Sequence, residues 1–175
     1  MANVRKYKGL VTASEVIVDS FTNQATDTAL ISDNIITIAE LAHIKSELGL
    51  DFYEELKTQN HNGSLSTDNQ TLMDDYLKPC LSWFVRFEVL NEIQYKSSSS
   101  GLMTNVDEFS TPVSNEVFNE MKQDTYRKAK VLLADMIAYI THADQVGKYT
   151  KYGTDGDSSM PDTDNATRKG GIIFY

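Results

Sequence analysis

The chain has 175 residues, of which 16 are Lys or Arg and 25 are Asp or Glu, so its formal net charge is −9. This length corresponds to one domain whose core needs no disulfide or metal for stability. The acidic balance argues against sequence-independent binding of nucleic acid, which requires clustered basic side chains. The lone cysteine, Cys80, excludes an intrachain disulfide. Because neither a secretory signal nor an apolar run of roughly 20 residues is visible, we expect an intracellular origin and no membrane insertion.

The first helix is predicted by its N-terminal residues. Thr12 and Glu15 form a T-x-x-E capping box, in which each side chain bonds the backbone N–H of the other residue. This pattern predicts a short helix over residues 13–21.

A second helix is predicted from near Asp33 to Leu48, because Gly49 is a natural residue to follow a helix end. Its apolar positions at helical spacing are Ile35, Ile38, Ala39, Ala42 and Leu48. The segment that follows, LDFYEELKT, predicts another short helix packed through Phe52, Tyr53 and Leu56.

The first long helix is predicted to open at Thr67, which forms a T-x-x-Q capping box with Gln70. Between residues 80 and 90 only three side chains are polar, namely Ser82, Arg86 and Glu88. A helix with so little polar surface is expected to lie centrally, with neighbours on several sides.

Two residues are predicted to shape this helix. Pro79 lies inside it and removes the backbone hydrogen bond to the carbonyl of Asp75, which predicts a kink about one turn upstream. The serine run and Gly101 are predicted to end the helix and to form a short joint. The residues LMTNV after this joint predict a short extended segment.

The second long helix is predicted to begin with Thr111 as its cap and Pro112 as its first residue. One long apolar stripe follows, made of Phe118, Met121, Thr125, Ala129, Leu132, Leu133, Met136, Ile137 and Ile140. The opposite face, which includes Glu120, Lys128 and Asp135, is expected to be solvated. We therefore predict a mainly α protein, a compact bundle of about four to five helices of which two are long, with an extended C-terminal arm.

The arm is predicted from a change in composition after Gln145. We divide the chain into a helical domain, residues 1–147, and an arm, residues 148–175, which is rich in Gly, Asp, Ser and Thr. The apolar residues of the arm are candidate anchors for docking on a partner: Tyr149, Tyr152, Ile172, Ile173, Phe174 and Tyr175. Docking on another chain and a frayed tail are equally compatible with this composition.

No residue pattern predicts catalysis or a bound cofactor. His43, His61 and His142 are isolated, without the spacing of metal ligands. The D-x-D-x-S run at Asp155 departs from a calcium loop at its sixth and twelfth positions. Cys80 lies in an apolar turn without a basic neighbour in sequence, which predicts an inert core thiol. We expect no catalytic, cofactor or metal site, and we do not expect an enzyme.

The order of these elements resembles a known family. The segments that carry the resemblance are LVTASEV, the buried helix with YLKPCLSWFVRFEVL, the joint SSSSGLM, and STPVSNEVF before the second long helix. Over residues 10–145 the chain is similar to the head–tail connector proteins of tailed bacteriophages, most closely to those of Bacteroidetes phages, including the crAss-like group.

The resemblance implies a helical adaptor in the virion neck, made in the host cytoplasm, that forms a ring beneath the capsid portal, commonly of twelve copies. Such rings join head to tail and extend the channel, through which double-stranded DNA passes without specific binding. The implied partners are the portal protein, neighbouring copies, and further neck or tail proteins; no activity, cofactor or membrane is implied. The alternative is a cytosolic regulatory or ligand-binding helical domain.

Overall fold

The computed structural model describes residues 9–21, 26–98, 101–104 and 114–154. The first three helices of these ranges are α1 (Ala13–Ser20), α2 (Asp33–Ala39, a π-helical turn at Glu40–Ile44, then Lys45–Leu48) and α3 (Leu50–Asn62). The long helices are α4 (Thr67–Thr71, a π-helical turn at Leu72–Leu77, then Lys78–Gln94) and α5 (Asn115–Thr141). Between them, β1 (Tyr95–Ser98) pairs with β2 (Gly101–Thr104). The prediction of a mainly α bundle with two long helices is confirmed.

The N-terminus of α1 has the predicted capping box. The Thr12 hydroxyl accepts from the backbone N–H of Glu15, and the Glu15 carboxylate accepts from that of Thr12. The same carboxylate also pairs with Lys78 of α4 at 3.0 Å. The cap therefore both starts α1 and holds it against the central helix.

In α2 the predicted ends are right but the predicted apolar stripe is partly wrong. Ile38 and Ala42 are exposed, whereas Ile36 and Ile44 are fully buried. The π-helical turn bears on Ile44, because its wider i→i+5 bonding shifts the face that residues within and after it present, whereas Ile36 and Ile38 precede it. Helical spacing alone therefore selects the wrong members of this stripe.

At the start of α4 the predicted cap is wrong by one residue. Ser66 is the cap, and its hydroxyl accepts from the backbone N–H of Asn69. Thr67 is the first helical residue instead, and the Gln70 side chain bonds Asp74 rather than the helix start. The earlier hydroxyl takes the capping position because only Ser66 has the extended backbone that a cap needs.

The central position predicted for α4 is confirmed. On one side the Ser82 hydroxyl donates to Asp19 of α1 at 3.2 Å, and on another the Cys80 Sγ lies 3.8 Å from the Ala129 carbonyl oxygen of α5. Because each helical residue advances by about 100°, these two contacts leave α4 on nearly opposite sides. A further face of α4 packs against α2, through His43.

Pro79 lies two residues after the end of the π-helical turn of α4. Lys78 donates its backbone N–H to the carbonyl of Met73, five residues back. The widened turn thus lies where Pro79 lacks an N–H and where its ring crowds the preceding turn. The irregularity is where the sequence predicts it, in the form of a π turn.

The joint between the long helices differs from its prediction. The helix α4 ends at Gln94, and Gly101 does not end it but begins β2, opposite Ser98. The extended segment expected after Gly101 is confirmed for residues 102–104. The serine run has no alternation of apolar side chains to indicate a strand, so the sequence does not predict β1.

The helix α5 begins three residues later than predicted. Its cap is Ser114, whose hydroxyl accepts from Val117, so the predicted cap Thr111 is wrong. Thr111 and Pro112 themselves lie outside the described residues. The predicted apolar face is confirmed at six buried positions, which are Phe118, Thr125, Ala129, Leu133, Met136 and Ile140. Met121 is an exception, because it lies on the edge of this stripe and is exposed.

The cap of α4 can be tested by a pair of adjacent substitutions. Ser66→Ala should lower the free energy of unfolding by about 1 kcal/mol, since it removes the acceptor for the Asn69 N–H. Thr67→Ala should change it by less than about 0.5 kcal/mol, because alanine is favourable inside a helix. Urea denaturation followed by circular dichroism measures both values, and a larger loss for Thr67→Ala would contradict this assignment.

Candidate interaction surfaces

The side chains that carry titratable chemistry are dispersed. Within the described ranges, no three His, Cys, Asp or Glu side chains are grouped so as to hold a metal ion. His142 contacts Asp144 on the surface and His61 is exposed, whereas His43 stacks on Phe84 with ring centroids 4.2 Å apart. The His43 Nε2 is also 2.9 Å from Glu88. This histidine therefore joins α2 to α4 in the core.

Cys80 is fully buried, as an inert core thiol requires. Burial raises the pKa of its thiol to about 12, because the thiolate would be poorly solvated between α4 and α5. The neutral thiol therefore persists over the range in which an exposed cysteine ionises.

The first part of the predicted arm belongs to the helical domain. We call residues 146–154 the strap. Its Tyr149 is buried, its ring lies 5.7 Å from Phe52, and its hydroxyl donates to the Asp68 carbonyl at 3.1 Å. Burial raises the pKa of Tyr149, as does its bond to Tyr139. Tyr149 is thus an anchor within its own domain, which corrects its assignment as an anchor for a partner.

The strap ends on the junction between α2 and α3. Gly153 donates its N–H to the Leu48 carbonyl at 2.9 Å, and the Thr154 carbonyl accepts from Asp51 at 3.1 Å. Both bonds satisfy backbone groups that a helix end leaves unpaired. The packed domain therefore continues to Thr154, and the predicted boundary after residue 147 is too early.

Gly49 makes this close approach possible. Its φ is +83°, and a Cβ at this position would lie 2.8 Å from the Thr154 carbonyl oxygen. The sequence correctly predicts that α2 ends before Gly49. No local pattern indicates that Gly49 packs against Thr154, which lies about a hundred positions later in the chain.

Two lysines also hold the strap against the domain: Lys148 pairs with Asp68 at 3.4 Å, and Lys151 pairs with Glu55 at 2.9 Å.

The other predicted anchors have mixed outcomes. Tyr152 is partly buried and packs against the core. The remaining four, Ile172, Ile173, Phe174 and Tyr175, lie outside the described residues. In the sequence, 17 residues separate them from the strap.

A groove with an aromatic floor opens between α4 and α5. Phe87 and Tyr126 form the floor, with ring centroids 5.0 Å apart, and the cavity has a volume of about 440 Å³. Asn119, Lys122 and Gln123 of α5 form its rim. We call this site the aromatic groove. Both aromatic residues belong to amphipathic helices, so no sequence pattern separates them from the core.

Apolar side chains are exposed on several described helices, and two pairs of them lie on α2 and α5. Ile38 and Leu41 of α2 are 53% and 47% exposed. Val117 and Val131 of α5 are 52% and 59% exposed and lie on the outer face of that helix. We call these pairs the α2 patch and the α5 patch.

Glu40 is a buried polar residue that sequence patterns do not single out. Its carboxylate accepts from the Leu10 backbone N–H at 2.7 Å and from the Tyr53 hydroxyl at 3.0 Å. Its position four residues after Ile36, on the buried face of α2, is the signal that would have located it. Glu40 connects the segment before α1 to α3.

The packing of Gly49 against the strap predicts a large effect of Gly49→Ala. A Cβ would meet the Thr154 carbonyl oxygen, in addition to the strain of a positive φ, which costs roughly 1–2 kcal/mol. Gly147→Ala is the control, because Gly147 has a φ of +84°, close to that of Gly49, but a Cβ there would meet no atom within 4 Å. Urea denaturation should show a larger loss of stability for Gly49→Ala, and equal losses would contradict the close packing.

The raised pKa of Cys80 predicts a pH dependence of stability. In the unfolded chain the thiol ionises near its ordinary pKa of 9.0, whereas in the folded chain it stays neutral to about 12. The buried thiol therefore makes its full contribution to the free energy of unfolding below pH 9, and this contribution falls by up to about 1.4 kcal/mol per pH unit above pH 9. Cys80→Ala removes this term, so the free energy of unfolding should fall less steeply between pH 9 and 11 than in the native chain. Parallel slopes would be evidence against the shift.

Comparison with known proteins places the chain in a family but does not supply a function. No described helix is both long and apolar enough to cross a membrane. No curated protein and no solved structure matches the chain. The model of one protein family, described as a family of unknown function, matches residues 44–157, which is well over half of the sequence and includes the strap. The chain therefore belongs to the DUF6712 family.

Proposed function

We propose that this protein is a virion structural protein that forms a ring under the capsid portal, joins head to tail, and extends the DNA channel. The resemblance of residues 10–145 to head–tail connectors supports this proposal. The observation that carries it is the presence of two exposed apolar patches on different helices. The proposed ring has twelve copies, and its location is the virion neck after assembly in the host cytoplasm.

The two patches fit the geometry that a ring needs. A closed ring joins each subunit to the next through two different surfaces, whereas a twofold dimer uses one surface twice. The α2 patch and the α5 patch lie on two different helices, both of which pack against α4. Because Val117 and Val131 stand roughly 21 Å apart along α5, contact with the α2 patch of the next copy would cover one of them directly, with the rest of the interface extending along α5 to the other.

The acidic charge is compatible with a channel for DNA. The formal charge of −9 is repeated in every copy of a ring. A wall of net negative charge repels the phosphate backbone. DNA would therefore pass through without specific binding and without adhesion.

The strap determines where the last part of the chain begins. Thr154, the last described residue, lies beside the N-terminus of α3, and 21 further residues follow it in the sequence. At full extension such a segment reaches roughly 70 Å. This length is sufficient to contact the portal, a neighbouring copy, or another neck or tail protein.

The two-patch contact can be tested with complementary variants. We expect Ile38→Glu with Leu41→Glu, and separately Val117→Glu with Val131→Glu, to prevent self-association, because each places charge in one half of the contact. An equal mixture of the two variants should form heterodimers, since one intact α2 patch still meets one intact α5 patch. Native mass spectrometry at the concentration where the native chain assembles measures this. Assembly of either variant alone would contradict the two-patch contact.

The place of the protein in the particle needs a separate measurement. Quantitative mass spectrometry of purified virions should find the protein at about the same number of copies as the portal. Its absence from particles that contain portal and tail proteins would exclude the proposed role.

The aromatic groove favours one alternative, a cytosolic regulatory or ligand-binding domain. Its volume of about 440 Å³ lies in the range of small-molecule sites. For this alternative the protein should be absent from purified virions and present in the cytosol of infected cells.

A further inference from the structure

We propose that the aromatic groove binds the C-terminal residues Ile172–Tyr175 of a neighbouring copy. The inference rests on the proposed function for the neighbouring copy, and it names the site that receives the end of the chain. Three observations support it: the apolar floor of the groove, the lysines around that floor, and the composition and length of the chain beyond Thr154.

The floor of the groove suits an aromatic side chain. Phe87 and Tyr126 lie at an interplanar angle of 48°, and the surface between them is mostly apolar. A third ring can join such a pair in an offset or edge-to-face arrangement. The side chain of Phe174 or Tyr175 supplies that ring.

The floor also has a fixed position. His43 lies behind it, with its ring centroid 6.2 Å from Phe87 and 6.1 Å from Tyr126. The stacking of His43 on Phe84 and its contact with Glu88 hold it in place. Because the floor is already held in place, less conformational entropy is lost when a ligand binds.

Two ammonium groups lie above the floor. The Lys122 Nζ is 5.0 Å from the centroid of the Phe87 ring, and the Lys130 Nζ is 5.8 Å from that of Tyr126. An ammonium group beside the floor can also lie over the face of an incoming aromatic ring, so Lys122 and Lys130 can add a cation–π contact to the apolar one. The groove therefore suits the apolar and aromatic side chains of IIFY.

The chain beyond Thr154 has the length to reach a neighbour. Residues 155–171 are mostly Gly, Asp, Ser, Thr and other polar side chains, and the four residues IIFY come last. These 17 residues extend to roughly 55 Å at most. Apolar residues at the end of a long polar linker fit a tether whose last residues make the contact.

A peptide of residues 168–175 tests the site directly. The receptor is the full-length chain with Ile173→Asp and Phe174→Asp, so that its own C-terminus does not compete. We expect the labelled peptide to bind with a measurable change in fluorescence anisotropy. Adding Asn119→Asp and Gln123→Glu to the receptor should weaken binding at least about tenfold, because both place negative charge on the rim.

The control carries the same charge about four turns further along the same helix. Ala134→Glu with Ala138→Glu adds two negative charges at exposed positions of α5, away from the groove. Binding by this control should equal that of the receptor, and a peptide with Phe174→Asp and Tyr175→Asp should bind several-fold more weakly. No binding, or equal weakening by the groove and control variants, would overturn the assignment of the groove.

A disulfide distinguishes a neighbour from the same chain. In the double variant Gln123→Cys, Tyr175→Cys, mild oxidation should give a ladder of linked chains on a denaturing gel; Cys80 is buried and does not interfere. A single band of cyclised monomer would place the contact within one chain and overturn the proposal. If the peptide binds but the protein is absent from purified virions, only the proposed function is contradicted. If the protein is found in virions but the peptide does not bind, only the assignment of the groove is contradicted.

Discussion

The burial of α4 is the constraint on which the other helices depend. Its residues between Tyr76 and Leu90 are all buried or partly buried, so α1, α2 and α5 must cover it on different sides. Each large apolar side chain removed from water contributes about 1.5–3 kcal/mol, and the residues around this helix form one connected core. Because the neighbouring helices pack on α4 through their inner faces, their outer faces remain exposed and can contact other molecules.

The strap extends this arrangement to the end of the described chain. Tyr149 packs on Phe52, and Thr154 bonds the first turn of α3, so the segment after α5 returns across α3 to the junction of α2 and α3. The strap fixes the point from which residues 155–175 begin. The patches, the groove and this starting point are all on the surface, and each is a consequence of which helix faces the core leaves uncovered.

The features predictable from sequence are those set by neighbouring residues. The capping box of Thr12 and Glu15 and the buried face of α5 follow from spacing within one helix. The shifted stripe of α2 was not predictable, because no residue type marks a π-helical turn. Ser66 and Thr67 are both good caps in isolation, and the backbone decides between them. The burial of Tyr149 and the aromatic groove depend on contacts between distant segments, about which local patterns carry no information.

The strap also affects the order in which the parts of the domain fold. Tyr149 bonds a residue 81 positions earlier, and Thr154 bonds one 103 positions earlier. Contacts of such separation close large loops and form only after the intervening helices have docked. During synthesis the strap leaves the ribosome after every helix it contacts, and residues 155–175 leave later still. Completion of the domain therefore precedes display of its C-terminus, so a nascent or truncated chain does not present that segment for assembly.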